Sequence, residues 1–381
     1  MARNSTVEYG VDALDALATH VKALGAQNVL LVTGRASFQA SGASKVVKSL
    51  ESVANVERWS DFSANTDAKD LWTGLQHTAG MHTDVIIGIG GGSVMDMAKL
   101  LTAFPGVQSE DELHEAIRTS GTITDRSPGL MLAPTTSGSG SEATHFAVVY
   151  IGAEKFSIAG SGLRADVVAL DPRLAMSGSP HQRATSGMDA VCQAIESRWA
   201  VAGTAPSRRY AELALHLLLN HLEDFVHEPT LTTAKGVQLG SHLAGRAIDV
   251  SKTTAAHALS YGITKRYGVD HGSAAALTLG HFIEAHAAPV PQLQEAIRAE
   301  VHRDAMDHIL AALDAPNGTR ARHNFTTLLR RIGLPDSLAE VGAESDQLDD
   351  LARSVNVERL GNNPVRFDEA GLRDILSKAY P

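Results

Sequence analysis

Asp84-Val85-Ile86-Ile87-Gly88-Ile89-Gly90-Gly91-Gly92-Ser93-Val94-Met95-Asp96-Met97-Ala98-Lys99-Leu100 changes period at its centre. Val85 to Ile89 is a nearly unbroken branched-aliphatic run, the pattern of a strand covered on both faces, whereas Val94, Met97 and Leu100 recur at helical spacing. The glycines between them allow a tight turn and leave backbone N–H groups at a helix N-terminus, where an anion is favoured. Taken alone the run also fits an ordinary strand-to-helix turn, because it matches neither the common dinucleotide fingerprint nor the P-loop.

Outward from this unit the same alternation repeats. Asn28 to Thr33 reads as a buried strand after the helix-like Val11 to Leu24, and Leu130 to Ala133, Phe146 to Tyr150 and Val167 to Leu170 read as later strands. Strands alternating with helices indicate a parallel sheet covered on both sides. From about Thr185 the strand signals stop, and Ala190, Ala194, Ile195, Leu213, Leu217 and Leu218 follow helical spacing. The expected fold is α/β plus all-α: a Rossmann-like parallel-sheet domain over 1–175 and a helical domain over 176–381. Asp-Pro and Gly-Ser-Pro turns between Asp171 and Pro180 mark the boundary.

Composition removes several function classes. Acidic residues outnumber basic ones by 43 to 33, for a net charge of -10, and no Lys/Arg tract offers a nucleic-acid footprint. Cys192 is the single cysteine, so neither an intrachain disulfide nor a thiolate metal cluster can form. No apolar stretch is long enough to span a bilayer and the first residues lack a signal-type apolar core, so a cytoplasmic protein is expected.

Three groups of residues carry chemistry. Asp96 and Lys99 follow the glycine turn within the first helical turns, and Pro134-Thr135-Thr136-Ser137-Gly138-Ser139-Gly140-Ser141-Glu142 supplies hydroxyls and small-residue backbone after another strand. These suit a pyrophosphate and nicotinamide site or, equally, a polar turn with a capping serine. Asp189 and Gln193 lie four residues apart on one helix face, and His257 and His271 flank a stretch able to join two helices. Two imidazoles and a carboxylate can hold a divalent first-row cation with a position left for substrate. Gln193 ligates, orients water or does neither, and packed histidines without metal are the alternative for the whole set. His145 and Arg198 are secondary candidates.

Taken together, Gly90 to Lys99, Pro134 to Glu142, the Gly187-Met188-Asp189-Ala190 helix and the two downstream histidines resemble the iron-containing alcohol dehydrogenase family over nearly the whole chain. The resemblance implies Asp189, His257 and His271 as metal ligands, with Gln193 standing where a third histidine is usual. It implies cofactor contacts from Gly91, Gly92, Ser93, Thr135 and Thr136, a catalytic cleft between the domains, and a homodimer; Gly90, Asp96, Lys99 and Ser137 join them as cofactor-site candidates from the two motifs. The cation it implies is Fe(II), with Zn(II) the alternative. Tyr261 occupies a position where a histidine is frequent, and becomes a candidate proton donor, substrate-orienting group or filler of the cleft.

Gly34, in Val32-Thr33-Gly34-Arg35, replaces an aspartate common in the family at the adenosine ribose. Without that carboxylate the turn favours NADPH modestly over NADH, with Arg35 as partner for a 2′-phosphate; a plain turn glycine is the alternative. The segments Asp189 to Trp199, Ser251 to Tyr261 and Asn356 to Pro364 resemble a subgroup that reduces phosphonoacetaldehyde to 2-hydroxyethylphosphonate in phosphonate biosynthesis. That resemblance makes Lys252, Arg359, Asn362 and Asn363 candidates for holding an anionic head group; surface ion pairs and turn caps are the alternative. The expected activity is metal-dependent, NAD(P)H-linked reduction of a small aldehyde to a primary alcohol. The competing readings are a general short-chain alcohol dehydrogenase, a cyclase or lyase on a phosphorylated substrate, and a nucleotide- or metal-binding protein without turnover.

Overall fold

The computed structural model describes residues 5–152 and 154–381. The chain divides into two compact units, Met1–Ser177 and Gly178–Pro381.

Unit one is built on six parallel strands, β1 (Thr6–Tyr9), β2 (Asn28–Thr33), β3 (Asn55–Trp59), β4 (Val85–Gly90), β5 (Gly129–Pro134) and β8 (Val167–Leu170). Between β5 and β8 the chain forms an antiparallel hairpin of β6 (Phe146–Ile151) and β7 (Glu154–Ala159). The spatial order is β1-β8-β5-β4-β2-β3. Side chains alternate across the sheet: Leu30, Val32, Ile86, Leu130 and Leu132 enter one core, while Val29, Leu31, Ile87, Ile89 and Met131 enter the other. Burial of both faces explains why these strands read as unbroken apolar runs.

The parallel N-terminal sheet followed by helices is as expected, with two differences in detail. β1 and β3 are edge strands whose side chains are mostly exposed, so neither carries an apolar run. Phe146 to Tyr150 is a strand but pairs in the hairpin, where Ala147 and Val149 turn inward. Its period of two separates it from the parallel strands.

From β2 the chain reaches β3 on one side, whereas β4 lies on the other. Such a switch point opens a crevice at the carboxyl ends of the strands, here at Thr33-Gly34 and Gly90-Gly91.

Unit two is helical: Pro180–Trp199, Ala205–His227, Leu231–Ser251, Ala255–Tyr267, His271–His286, Ala299–Ala312 and Gly318–Arg331 are its long helices. Ser179 caps the first with Pro180 behind it, and Thr204 and Thr230 form capping boxes on the next two. The Pro180–Trp199 helix is enclosed from Gly187 onward and packs against the Ala205–His227, Leu231–Ser251 and His271–His286 helices. Asp189, Gln193, Glu196, Ser197 and Arg198 are therefore polar groups inside a core, and burial of that kind is costly without partners. Among the described residues no helix is long and apolar enough to cross a membrane.

Candidate active site

The partners of the buried helix define a metal-type centre. One ligand atom each from Asp189, His257 and His271 lie within 4.8 Å of one another. Asp189 Oδ1 is 3.2 Å from His257 Nε2, and the two imidazoles meet edge to face with ring centroids 5.3 Å apart. Tyr261 stacks on His271 at 5.5 Å and 7°, and Ser260 Oγ lies 3.4 Å from His271 Nδ1. Gln193 Nε2 donates to Asp189 Oδ2 at 3.1 Å, so its amide steers the carboxylate.

The charge of the Asp189 carboxylate suits a cation, and His257 must release a proton to join it as a ligand. Against the upward push of burial, the hydrogen bond with His257, the nearby His271 and the Gln193 amide hold the Asp189 carboxyl below its ordinary range. Burial alone would lower His257, but the Glu196 and Asp189 carboxylates at its two nitrogens push it up to about 9. A buried carboxylate that stays ionised beside two imidazoles is the hard-and-borderline donor set that divalent first-row ions take.

Gly272 makes the approach of the His271 helix possible. A Cβ there would lie 2.1 Å from Thr185 O and 2.9 Å from Asp189 Cβ. Gly272→Ala is expected to force the two helices apart, to destabilise the protein by about 1–3 kcal/mol, the usual scale of overpacking, and to weaken divalent-metal binding. Thermal melting and a metal titration read both effects, and a wild-type melt would show that the helices can yield.

Within unit one the two glycine- and hydroxyl-rich motifs come together. Gly91 caps the Gly92–Ala103 helix, Thr135 N–H donates to Gly90 O at 2.9 Å, and the Cβ direction of Gly91 points to Thr136 Oγ1 at 3.5 Å. That of Gly92 meets Ser139 Oγ at 2.9 Å, so a side chain here would crowd the turn. Ser137 Oγ is buried and has no hydrogen-bond partner among the described residues, an orphaned polar atom that a bound polar ligand would satisfy. Ser93 Oγ accepts from Asn65 N–H at 3.0 Å.

Several expected cofactor residues do other work. Lys99 is wholly buried, and its ammonium donates to Ser141 O at 2.5 Å, to Thr144 O and Thr144 Oγ1 at 3.0 Å, and to Phe146 O at 2.8 Å. Asp96 accepts from Ser141 Oγ at 2.5 Å and Val148 N–H at 3.0 Å. Both pin the loop and hairpin to the helix, which gives the two side chains a structural task within the first unit. Gly90 is a packing glycine, since a Cβ would meet Val94 at 2.4 Å. Arg35 pairs with Asp61 at the surface, while Arg58 from β3 donates to Thr33 Oγ1 at 2.8 Å and Gly34 O at 3.3 Å. Arg58, which sequence reasoning missed, is the guanidinium held at the Gly34 turn.

The anion-holding set is corrected too. Asn362 Nδ2 donates to Ser251 O at 2.7 Å and Thr253 O at 3.0 Å, so both of its N–H bonds are used on backbone. Asn363 is fully buried, with Nδ2 on His286 Nε2 at 3.1 Å and Val365 O at 2.7 Å. Neither amide has a donor left for an anion. What Asn362 brackets is Lys252, at φ 60° and ψ -177°, a conformation that glycine alone adopts without strain. Arg359 is half-buried one turn before Asn362, whose N–H donates to Arg359 O at 3.2 Å. Arg198 pairs with Asp304 at 2.6 Å and with His308, and His145 sits edge-on to Phe146.

Glu196 was missed as well, although it lies seven residues after Asp189 on the same helix, where Asp189, Gln193 and Glu196 repeat at the spacing of one face. That buried polar stripe was the available signal.

Comparison with known proteins converges on these features. Residues 4–172 match the model of iron-containing alcohol dehydrogenase, and 183–380 match the C-terminal model of the Fe-containing alcohol dehydrogenase family. Phosphonoacetaldehyde reductase of Streptomyces viridochromogenes is 31% identical over 310 residues, 78% of this chain and 76% of that protein. Long-chain-alcohol dehydrogenase 1 of Geobacillus thermodenitrificans is 27% identical over 97% of this chain and 94% of its own. The crystal structure of sulfoacetaldehyde reductase from Bifidobacterium kashiwanohense in complex with NAD+ superposes with a TM-score of 0.88 at 25% identity, covering 99% of this chain and 97% of that one.

Proposed function

Since this chain belongs to the iron-containing alcohol dehydrogenase family, and is thus a metal-dependent, NAD(P)-linked oxidoreductase acting between aldehyde and alcohol, we propose that it reduces phosphonoacetaldehyde to 2-hydroxyethylphosphonate. The observation that carries this reading is Lys252, a cation held in a strained backbone by the Asn362 bracket beside the short helix that bears Arg359. Strain of this kind persists where the surrounding structure requires a particular side-chain placement. Two of the relatives are named as reductases of acetaldehydes that carry an acid group, phosphonate in one and sulfonate in the other, which supports the same substrate class.

In this reading Asp189, His257 and His271 hold the divalent cation, Fe(II) or Zn(II), and Gln193 orients Asp189 instead of ligating. When bound, the cation polarises the aldehyde oxygen and the reduced nicotinamide supplies hydride. The chain's own residues set the geometry. Gly91, Gly92, Ser93, Thr135, Thr136 and Ser137 line the turn that receives the coenzyme. Lys252 and Arg359 hold the acid group by charge-assisted hydrogen bonds. Tyr261, flat against His271, keeps its phenol beside the ligand set to orient the substrate or pass a proton.

The test is turnover of metal-stripped protein with Fe(II) or Zn(II) restored, using phosphonoacetaldehyde and neutral aldehydes of equal length with NADH or NADPH. Metal-dependent reduction with a preference for the phosphonate is expected. Equal or better kcat/KM on neutral aldehydes would leave the general alcohol dehydrogenase reading in its place.

Coenzyme choice follows from the Gly34 turn, which lacks a carboxylate and carries the Arg58 guanidinium. Arg58→Ala is expected to raise KM for NADPH more than for NADH, because a 2′-phosphate loses a cation while a ribose hydroxyl does not. A parallel rise for both coenzymes would remove Arg58 from the preference.

A further inference from the structure

The ring of His257 is gripped at both nitrogens by one helix. Nε2 faces Asp189 Oδ1, and Nδ1 makes a short contact with Glu196 Oε2. Glu196 is completely buried, and its other oxygen, Oε1, accepts three hydrogen bonds: from Thr254 Oγ1 at 2.8 Å, Ala256 N–H at 2.9 Å and His257 N–H at 3.3 Å. Thr254 Oγ1 in turn accepts from the indole N–H of Trp199, itself fully buried, at 2.9 Å. With its acceptor side taken by Trp199, the single hydroxyl proton of Thr254 is directed to Glu196.

We infer that Glu196 is a positioning residue that fixes the tautomer and orientation of His257 for cation binding, and that the Trp199–Thr254 pair and the two backbone amides lock Glu196 in that task. The inference rests on the reading of Asp189, His257 and His271 as ligands. Ligation through Nε2 requires the remaining ring proton on Nδ1, and Glu196 Oε2 is the acceptor that keeps it there. Because Oε1 is held by three donors, Oε2 has no freedom to leave the imidazole.

The lock makes a sharp distinction possible with glutamine. In Glu196→Gln the three donors can be met only by the amide oxygen, which turns the amide NH2 toward Nδ1. The NH2 then donates to the Nδ1 lone pair and favours a proton on Nε2, the wrong nitrogen for ligation. Volume and all three accepted hydrogen bonds are kept. A purely structural Glu196 would therefore tolerate glutamine better than alanine, whereas a tautomer-setting Glu196 gains nothing from glutamine.

The experiment is titration of metal-stripped full-length protein with Zn(II), alongside thermal melting of the metal-free forms, for wild type, Glu196→Gln, Glu196→Ala, Thr254→Val and His257→Ala. Glu196→Gln is expected to stay folded, melting below wild type but above Glu196→Ala, yet bind Zn(II) about 10–100-fold more weakly, the range for losing a histidine's outer partner. Thr254→Val, which removes one donor from the lock, should weaken binding by about fivefold, the equivalent of one ordinary hydrogen bond. Wild-type affinity in folded Glu196→Gln, or in Thr254→Val where the glutamine variant does not fold, overturns the inference while leaving the ligand reading intact, provided that His257→Ala has lost binding. Unchanged Zn(II) affinity in His257→Ala overturns the ligand reading and this inference with it.

Discussion

His257→Ala is expected to abolish most turnover, lowering kcat/KM by about 10²–10³-fold or more, the scale of removing one group that stabilises charge in a transition state. The imidazole is buried at 3% exposure between two carboxylates, so its removal leaves Asp189 and Glu196 facing one another without the ring between them. Two buried carboxylates left without their shared partner are costly, and a fall in stability of the metal-free protein should accompany the loss of activity. Melting, metal content and steady-state rates must therefore be read together. His271→Ala separates the two effects, since His271 contacts Tyr261, Ser260 and His257, and its removal leaves the ring of His257 in place between Asp189 and Glu196. A well-folded His271→Ala protein is expected to lose metal and turnover with a smaller change in melting. Normal turnover in either folded variant would rule out the ligand assignment.

Lys252→Gly is expected to move stability and activity in opposite directions. At φ 60° and ψ -177° a lysine carries backbone strain, whereas glycine has no Cβ to clash. Relief of a conformation that costs roughly 1–3 kcal/mol should raise the melting temperature by a few degrees. The variant also loses the cation proposed to hold the substrate's acid group. Truncating one partner of a desolvated charge pair costs about 2–5 kcal/mol, which corresponds to a loss in kcat/KM of about 30-fold to several thousand-fold on phosphonoacetaldehyde. Neutral aldehydes should be affected little. An equal loss on charged and neutral substrates would assign Lys252 to the backbone turn alone, and an unchanged rate on both would remove it from the site.

The site was only partly legible in the sequence, and the line falls along a physical boundary. Residue type and helical spacing proposed Asp189, His257 and His271, and the fold brings their ligand atoms within 4.8 Å. Lys99 and Asp96 look like phosphate-loop residues from their offset after the glycines, yet their partners lie on Ser141, Thr144, Phe146 and Val148, in a loop and hairpin about 45–50 positions downstream. Asn362 and Asn363 have the right chemistry for an anion, but both amides are consumed by backbone and by His286.

By itself the sequence determined the two-part architecture. Burial of a parallel sheet on both faces demands unbroken apolar runs, burial of helices demands a 3.6-residue period, and both periods are written locally. It also determined the glycine turn at Gly90 to Gly92, because a close approach there excludes a side chain. Tertiary structure alone decided the pairing of polar groups: Glu196 with His257 across 61 positions, Asn362 with Ser251 across 111 and the positive φ forced on Lys252 between those contacts. The reason is that local periodicity reports which face of an element leaves water, while a buried donor is satisfied by whichever acceptor the packing of distant elements brings within hydrogen-bond reach.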